Sequence, residues 1–287
     1  MAARCVAARC VRPSAAASLA NLPRRSALFA AAMGLGASRS PSPRALAAAA
    51  QAAEDDPVAS ILLDPKFPES WPYGADAFAR YDEAPDGSFY TEPRFVTHID
   101  DRAIEALSDY YAASFPPVAE KPALLDLCSS WISHYPKDYN PSNLDSVVGL
   151  GMNEDELQRN GALTSFVVKD LNEDPVLPFD DNSFDVVTNA VSVDYLTRPL
   201  EVFREMHRVL KPGGTAIMSF SNRCFPTKAI AVWTQTGDPD HIWIVGSYFH
   251  YAGGFEKPQA KEITKRAGML QRGGDPMYVV FARKQLS

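Results

Sequence analysis

Cysteine is scarce in this chain of 287 residues: there are four, and no two of them form a CxxC pair. Cys5 and Cys10 fall near the start, which leaves Cys128 and Cys224 for the body of the protein. That usage excludes a zinc-ribbon site and a disulfide framework. Long apolar runs are missing too. No stretch of about 18 apolar residues free of charge occurs, so no transmembrane helix is expected. No GxGxxG turn follows the first strand-like run, which argues against a nicotinamide-dependent oxidoreductase. A basic excess is also lacking, because the formal charge is −7, and nucleic acid is not an expected partner.

The most uneven absence is that of acid. Met1 to Ala53 holds seven Arg, no Lys and no Asp or Glu. Setting those seven aside leaves 21 basic residues against 35 acidic ones, a formal −14 for the remainder. An Ala-rich leader containing Arg and Ser but no acid has the composition of an organelle transit peptide. Chloroplast import, to stroma or thylakoid, is the expectation, with mitochondrial import as the alternative. Arg24-Arg25 ahead of the apolar run Ser26 to Ala37, with Ala45-Leu46-Ala47 as a small-residue cleavage site, fits a second, thylakoid-directed signal. Arg39 and Arg44 stand between the run and the cut and speak against it. The expected organisation is a leader over 1–53, a wrapping segment over 54–120 and a core over 121–287.

What is present is a strand–helix–strand pattern. Val167–Val168 leads to Asp170, Phe184-Asp185-Val186-Val187 opens a second apolar run, and Thr215 to Phe220 forms a third. Short apolar runs bounded by turn residues suit strands covered on both faces. Between the last two, Val202, Phe203, Met206, Val209 and Leu210 make one helical stripe, with Pro199 near its start and Lys211-Pro212-Gly213-Gly214 at its stop. Such alternation implies parallel strands in a doubly wound sheet, whose ligands bind outside the carboxyl ends of the strands. Upstream, Ala123 to Cys128 and Ser146 to Met152 read as two further strands, and Met277 to Ala282 as the last. Before them, prolines at 65, 68, 72, 85 and 93 interleave with Trp71, Tyr73, Phe78, Tyr81, Phe89, Tyr90 and Phe95. That density breaks regular structure while the aromatics need burial, so the segment should wrap the core. Asp100 or Asp101 should cap a helix through Ala103, Leu107 and Tyr111. A further helix is expected near Thr227 to Trp233.

The stretch DLNEDPVLPFDDNSFDVV followed by YLTRPLEVFREMHRVLKPGG resembles the second half of a class I S-adenosylmethionine (SAM)-dependent methyltransferase of the type 11 kind. The resemblance implies an α/β fold with a doubly wound seven-stranded sheet, mostly parallel, whose antiparallel last strand inserts between strands five and six. It also implies SAM as cofactor and a small-molecule methyl acceptor. Asp170 matches the family's acid that accepts from the adenine amino group, with Leu171 beside it. Where the family writes Asp-x-Gly-x-Gly-x-Gly after strand one, this chain has Asp126-Leu127-Cys128-Ser129-Ser130-Trp131. Asp126 is retained, and Cys128, Ser129 and Ser130 stand as small residues facing the methionine moiety. Pro136 and Pro141 shorten any helix that follows. The family's ribose-binding acid at the end of strand two corresponds to Gly151. Asn153 or Glu154 stands next in line for the ribose, although Glu154 to Glu156 is also an acidic first turn of a helix, and Glu156 is read in that way. Asn189 lies at the end of strand four. Relatives commonly carry His near Asp194 or Tyr195, which makes Asp194 a candidate base or anchor, or a helix cap. His98, with Arg94, supplies candidate substrate contacts in the wrap, or belongs to a structural clamp.

Two functions are therefore in view. One is a SAM-dependent methyltransferase acting on a small or lipophilic organelle metabolite, with Asp194, Tyr195 and His98 at the reacting centre. Its cofactor residues would be Asp126, Cys128, Ser129, Ser130, Asn153, Asp170, Leu171 and Asn189. The alternative is a non-catalytic binding or scaffold protein of the same fold, whose altered loop no longer holds SAM. An enzyme needs an open cavity joining Ser129, Asp170 and Asp194; in a scaffold Trp131 or Tyr135 can plug it.

Overall fold

The computed structural model describes residues 56–265 and 274–286. The expected leader, and part of the piece before the last strand, lie outside the described residues. Seven strands form one sheet: β1 Leu124–Leu127, β2 Val147–Gly151, β3 Ser165–Val168, β4 Phe184–Ala190, β5 Leu210–Phe220, β6 Gln259–Glu262 and β7 Tyr278–Arg283. Their order is β3-β2-β1-β4-β5-β7-β6. Strands β1 to β5 pair in parallel, and β7 lies antiparallel between β5 and β6. This is the doubly wound, mostly parallel α/β sheet that the resemblance implies, inserted last strand included. The α-helices among the described residues are α1 Pro57–Ile61, α2 Asp86–Phe89, α3 Asp101–Ser114, α4 Glu154–Arg159, α5 Pro199–Val209, α6 Ala231–Thr234 and α7 Asp238–Ala252.

Alternation along the strands divides the interior into two cores. Leu125, Leu127, Leu150, Val187 and Met218 pack with Val202, Phe203 and Met206 of α5 and with Val245 and Phe249 of α7. Leu124, Val147, Val186 and Ile217 face the other way, onto Ala103, Leu107 and Tyr111 of α3. Asp100 caps α3, accepting from the Ala103 N–H at 2.9 Å. No helix joins β1 to β2; the face it would cover is filled by α3 together with Tyr139 and Leu144 of the connection itself. Two other expectations are corrected. Strand β3 is the sheet edge and stays partly exposed, with Ser165 and Val168 exposed and Phe166 and Val167 half-buried. The helix expected over Thr227 to Trp233 is only α6, Ala231–Thr234, preceded by turns.

The segment 79–98 crosses the carboxyl edge of the sheet as a strap. Its tightest fastening is a buried charge cluster around Asp86, which is 5% exposed. Arg80 Nη1 donates to both Asp86 oxygens, at 2.6 and 2.7 Å. Lys228 Nζ, 1% exposed as a side chain, stands 3.3 Å from the same carboxylate and donates to the Ala84 carbonyl at 2.6 Å. Asn172 Nδ2 donates to Asp86 Oδ2 at 2.9 Å, which ties the strap to the end of β3. Backbone bonds add to it, Asp82 N–H to the Thr227 carbonyl and Ala231 N–H to the Ala79 carbonyl, each 2.8 Å.

Removing one partner of a buried charge cluster leaves the others uncompensated, at a cost of about 3–5 kcal/mol. Asp86→Ala should lower the unfolding free energy at pH 7 by that order, read from a urea midpoint. Burial alone would raise the Asp86 carboxyl, but bonds from Arg80 and Asn172 outweigh it and hold it below the ordinary carboxylate value. A depressed carboxyl contributes stability above its unfolded pKa and loses it as pH falls through the folded value. The gap between wild type and variant should therefore narrow in acid; equal midpoints at pH 7 would mean that the strap adds nothing to stability.

Candidate active site

Beneath the strap lies a cavity of about 320 Å³, within the range of small-molecule sites. Its floor is made by the turns after four parallel strands: Cys128 to Trp131, Leu150 to Asn153, Lys169 to Asn172 and Ala190 to Ser192. Arg80, Asp86, Tyr90, Arg94 and His98 close it from the strap side, and Cys224, Phe225 and Lys228 from the segment after β5.

The turn after β1 is folded by polar side chains where glycines would leave it loose. Ser129 N–H donates to the Leu150 carbonyl at 2.8 Å, so the loop continues along β2. Asp126, 2% exposed, gathers three hydroxyls beneath it: Ser129 and Ser133 at 2.7 Å and Thr188 at 3.0 Å. Burial pushes its carboxyl up to about 6, against those three bonds. Cys128 takes a left-handed conformation at φ +54°, and His134 does so at +57°. Cys128 thus makes the turn that glycine makes elsewhere, at some cost for a residue with a Cβ. The loop lies directly on the end of β2: a Cβ at Gly151 would come 2.0 Å from the Ser129 carbonyl oxygen. No acid can occupy that position while the loop holds this path.

The cavity brings together Asp126, Cys128, Ser129, Ser130, Asn153, Asp170 and Leu171, with Tyr195 and His98 at its acceptor side. Asp170 Oδ1 accepts from the Asn172 N–H at 2.8 Å. Asn153 is already committed: Oδ1 caps α4 at the Glu156 N–H, and Nδ2 donates both hydrogens to the Tyr90 and Thr91 carbonyls of the strap. Tyr195 Oη accepts from the Phe225 N–H at 2.7 Å. His98 packs its ring on Phe225, with centroids 5.4 Å apart. Trp131 sits at the rim, donating to the Val96 carbonyl, and Tyr135 is turned inward to Thr188; neither plugs the cavity.

Two expected residues do not reach the cavity wall. Asn189 is 1% exposed beneath the floor, its Nδ2 on the Leu127 carbonyl and its Oδ1 without a partner. Asp194 is 2% exposed behind Tyr195, with Oδ2 unpartnered, and burial pushes its carboxyl up to about 8. At neutral pH it is an acid held inside the protein.

Other lining residues carried no signal in the sequence. Arg80, Asp86 and Lys228 meet only through the fold. His134, buried and neutral, has its imidazole pushed down to about 4 by desolvation. Val191 lies at φ +43°, a strained conformation for a β-branched residue, directly at the end of β4. Glu156, read from the sequence as a helix-start acid, lines the cavity at 8% exposure.

Gly151→Asp should fail to restore a strand-end acid. It should instead lower stability by about 1–3 kcal/mol through overpacking against the Ser129 carbonyl; an unchanged melting curve would show that the loop yields freely. For Asp194 the sign runs the other way from Asp86. A carboxyl raised to about 8 in the folded state costs stability progressively as pH rises from its unfolded value, about 4. Asp194→Asn should therefore gain on wild type as pH rises from about 4 to about 8. Parallel stability curves would mean that the Asp194 carboxyl is not raised.

Residues 132–218 match the family model of a methyltransferase domain. Malonyl-(acyl-carrier protein) O-methyltransferase of Marinomonas sp. is 29% identical over 66 residues, 23% of this chain and 24% of that protein. The chain thus spans about a quarter of that relative's length. Demethylmenaquinone methyltransferase of Staphylococcus aureus is 34% identical over 166 residues, 51% of this chain and 67% of that protein. A SAM-dependent methyltransferase structure from Archaeoglobus fulgidus aligns at a TM-score of 0.46 and 14% identity, over 63% of this chain and 94% of that one. With the sheet order, the matched domain and the alignment to the Staphylococcus aureus demethylmenaquinone methyltransferase together, the chain belongs to the SAM-dependent methyltransferases, class I, of the type 11 kind.

Proposed function

We propose that this protein transfers the methyl group of SAM to a small or lipophilic organelle metabolite. The observation that carries the reading is the cavity at the carboxyl ends of β1 to β4, with Asp170 on its wall. The donor set fits the cofactor in part. Asp170 keeps one carboxylate oxygen without a hydrogen bond among the described residues, available to the adenine amino group, and Leu171 offers an apolar surface beside it. The Cys128–Trp131 turn would face the methionine end, with Asp126 holding the turn from below. When bound, the cofactor supplies an electrophilic sulfonium methyl group. Displacement there depends chiefly on alignment, and general base help is needed only for a protonated nucleophile. Tyr195 and His98 would orient the acceptor, while the strap excludes water. Asp194 would act from behind, as a buried acid that fixes the Tyr195 turn. The relative named for demethylmenaquinone favours a lipophilic acceptor. For location we propose the chloroplast, on the composition of the leader alone, with the mitochondrion as the alternative.

A second reading has its own support: the Ser129 carbonyl fills the strand-end acid's place, and three hydroxyls saturate Asp126. These features favour a non-catalytic member of the family that has lost SAM. Calorimetric titration with S-adenosylhomocysteine separates the two. Wild type should bind in the micromolar range and Asp170→Ala at least about 10-fold more weakly, the worth of a hydrogen bond to a charged group. No heat and no thermal shift at millimolar ligand would sink the enzyme and leave the scaffold.

A further inference from the structure

Four carboxyl side chains line the cavity: Asp86, Asp126, Glu156 and Asp170. Asp86 is consumed by Arg80, Lys228 and Asn172. Asp126 is consumed by three hydroxyls. Asp170 belongs to the end of β3. At the end of β2, Glu156 is the side chain among the described residues that keeps capacity to accept on two oxygens. Its Oε1 takes the Arg94 N–H at 2.7 Å, and its Oε2 takes the Ser130 hydroxyl. A carboxylate has about four lone-pair sites, so each oxygen retains one for a ligand. Asn153, the neighbouring polar residue, offers less: both amide hydrogens go to the strap, and its single oxygen already caps α4, which leaves one acceptor site rather than a pair. At Gly151 the Ser129 carbonyl leaves no room for any side chain.

We propose that Glu156, held by Ser130 and Arg94, accepts hydrogen bonds from the ribose hydroxyls of the adenosyl cofactor. The acid then comes from helix α4, five residues beyond the strand end. The inference rests on the SAM reading above. Two paired acceptor sites on one carboxylate match two vicinal hydroxyl donors, and no other group at this strand end offers that pair. The two protein bonds to Glu156 also come from opposite sides, the strap at Arg94 and the β1 loop at Ser130. A ligand seated on this carboxylate would therefore contact the group that joins roof to floor.

Glu156→Gln is the informative variant because it can keep both protein contacts. Its oxygen still accepts from the Arg94 N–H, and its amide nitrogen can donate to the Ser130 hydroxyl. What it loses is the second acceptor and the charge. The test is calorimetric titration of wild type and variant with S-adenosylhomocysteine and with its 2′-deoxy and 3′-deoxy forms. Wild type should prefer the intact ribose by about 10- to 100-fold. Glu156→Gln should lose that factor for S-adenosylhomocysteine and bind all three ligands alike. Glu156→Asp, which keeps the charge but withdraws it by one methylene, should lose the preference too and serves if the first variant does not fold. A variant that binds more weakly yet keeps the preference would overturn the proposal, leaving Glu156 as a support for the loop. So would a wild type indifferent to the ribose hydroxyls. If wild type binds none of the three ligands, the SAM reading itself falls, and this inference with it.

Discussion

The Ser129 carbonyl lying on the α-carbon of Gly151 is the contact on which the carboxyl edge of this sheet depends. Once the chain leaves β1 it stays paired to β2, through the Ser129 N–H and the Leu150 carbonyl at 2.8 Å. It cannot at the same point turn into a helix over the sheet. The face that such a helix would shield must then be covered otherwise, and α3, from before β1, does so with Leu107 and Tyr111 fully buried. The segment ahead of the core is therefore part of the core. Its continuation backward becomes the strap that closes the cavity.

Holding the β1 loop in that path requires compensation. Cys128 and His134 sit in the left-handed region, where non-glycine residues cost of order 1–3 kcal/mol each. Against this stand three hydroxyl bonds to the buried Asp126 carboxyl and the bonds from Asn160 Nδ2 to the Ser130 carbonyl and Ser133 hydroxyl, both 2.9 Å. These bonds offset part of the strain and part of the burial cost that raises the Asp126 carboxyl. A glycine loop needs no such support and supplies none. Replacing glycines by serines exchanges backbone freedom for a loop determined from beneath.

What the sequence made legible was local. The stripe Val202, Phe203, Met206 and Val209, with Pro199 ahead and the Pro-Gly-Gly stop behind, located α5 and the strands on either side. Asp100 announced α3 by its cap. Asp170 and the Cys128–Ser130 turn reach the cavity because strand ends converge wherever strands are parallel. What escaped was long-range. Lys228 meets the Asp82 and Ala84 carbonyls across 146 and 144 residues, and Arg94 meets Glu156 across 62. No periodicity records such pairs. Glu156 shows the difficulty well: three acids in sequence at a helix start have a sufficient local explanation, and only the loop path reveals that one of them faces a cavity. Asp194 is the converse, a residue whose place in the sequence suggested the reacting centre and whose burial sets it behind the wall.

The strap and the cavity are held by the same groups, and this constrains how any ligand acts on the protein. Asn153 caps α4 and grips the Tyr90 and Thr91 carbonyls. Asn172 bonds Asp86 on one side, the Tyr195 carbonyl on the other, and the Thr197 N–H through its oxygen. Each lies one turn from a strand end, and each joins roof to floor. A ligand that bonds at these strand ends would contact elements that the strap already shares. For the proposed displacement, which depends on alignment more than on acid–base help, the strand-end side chains that fasten the strap would also frame the ligand, so the roof and the floor of the site share one set of supports.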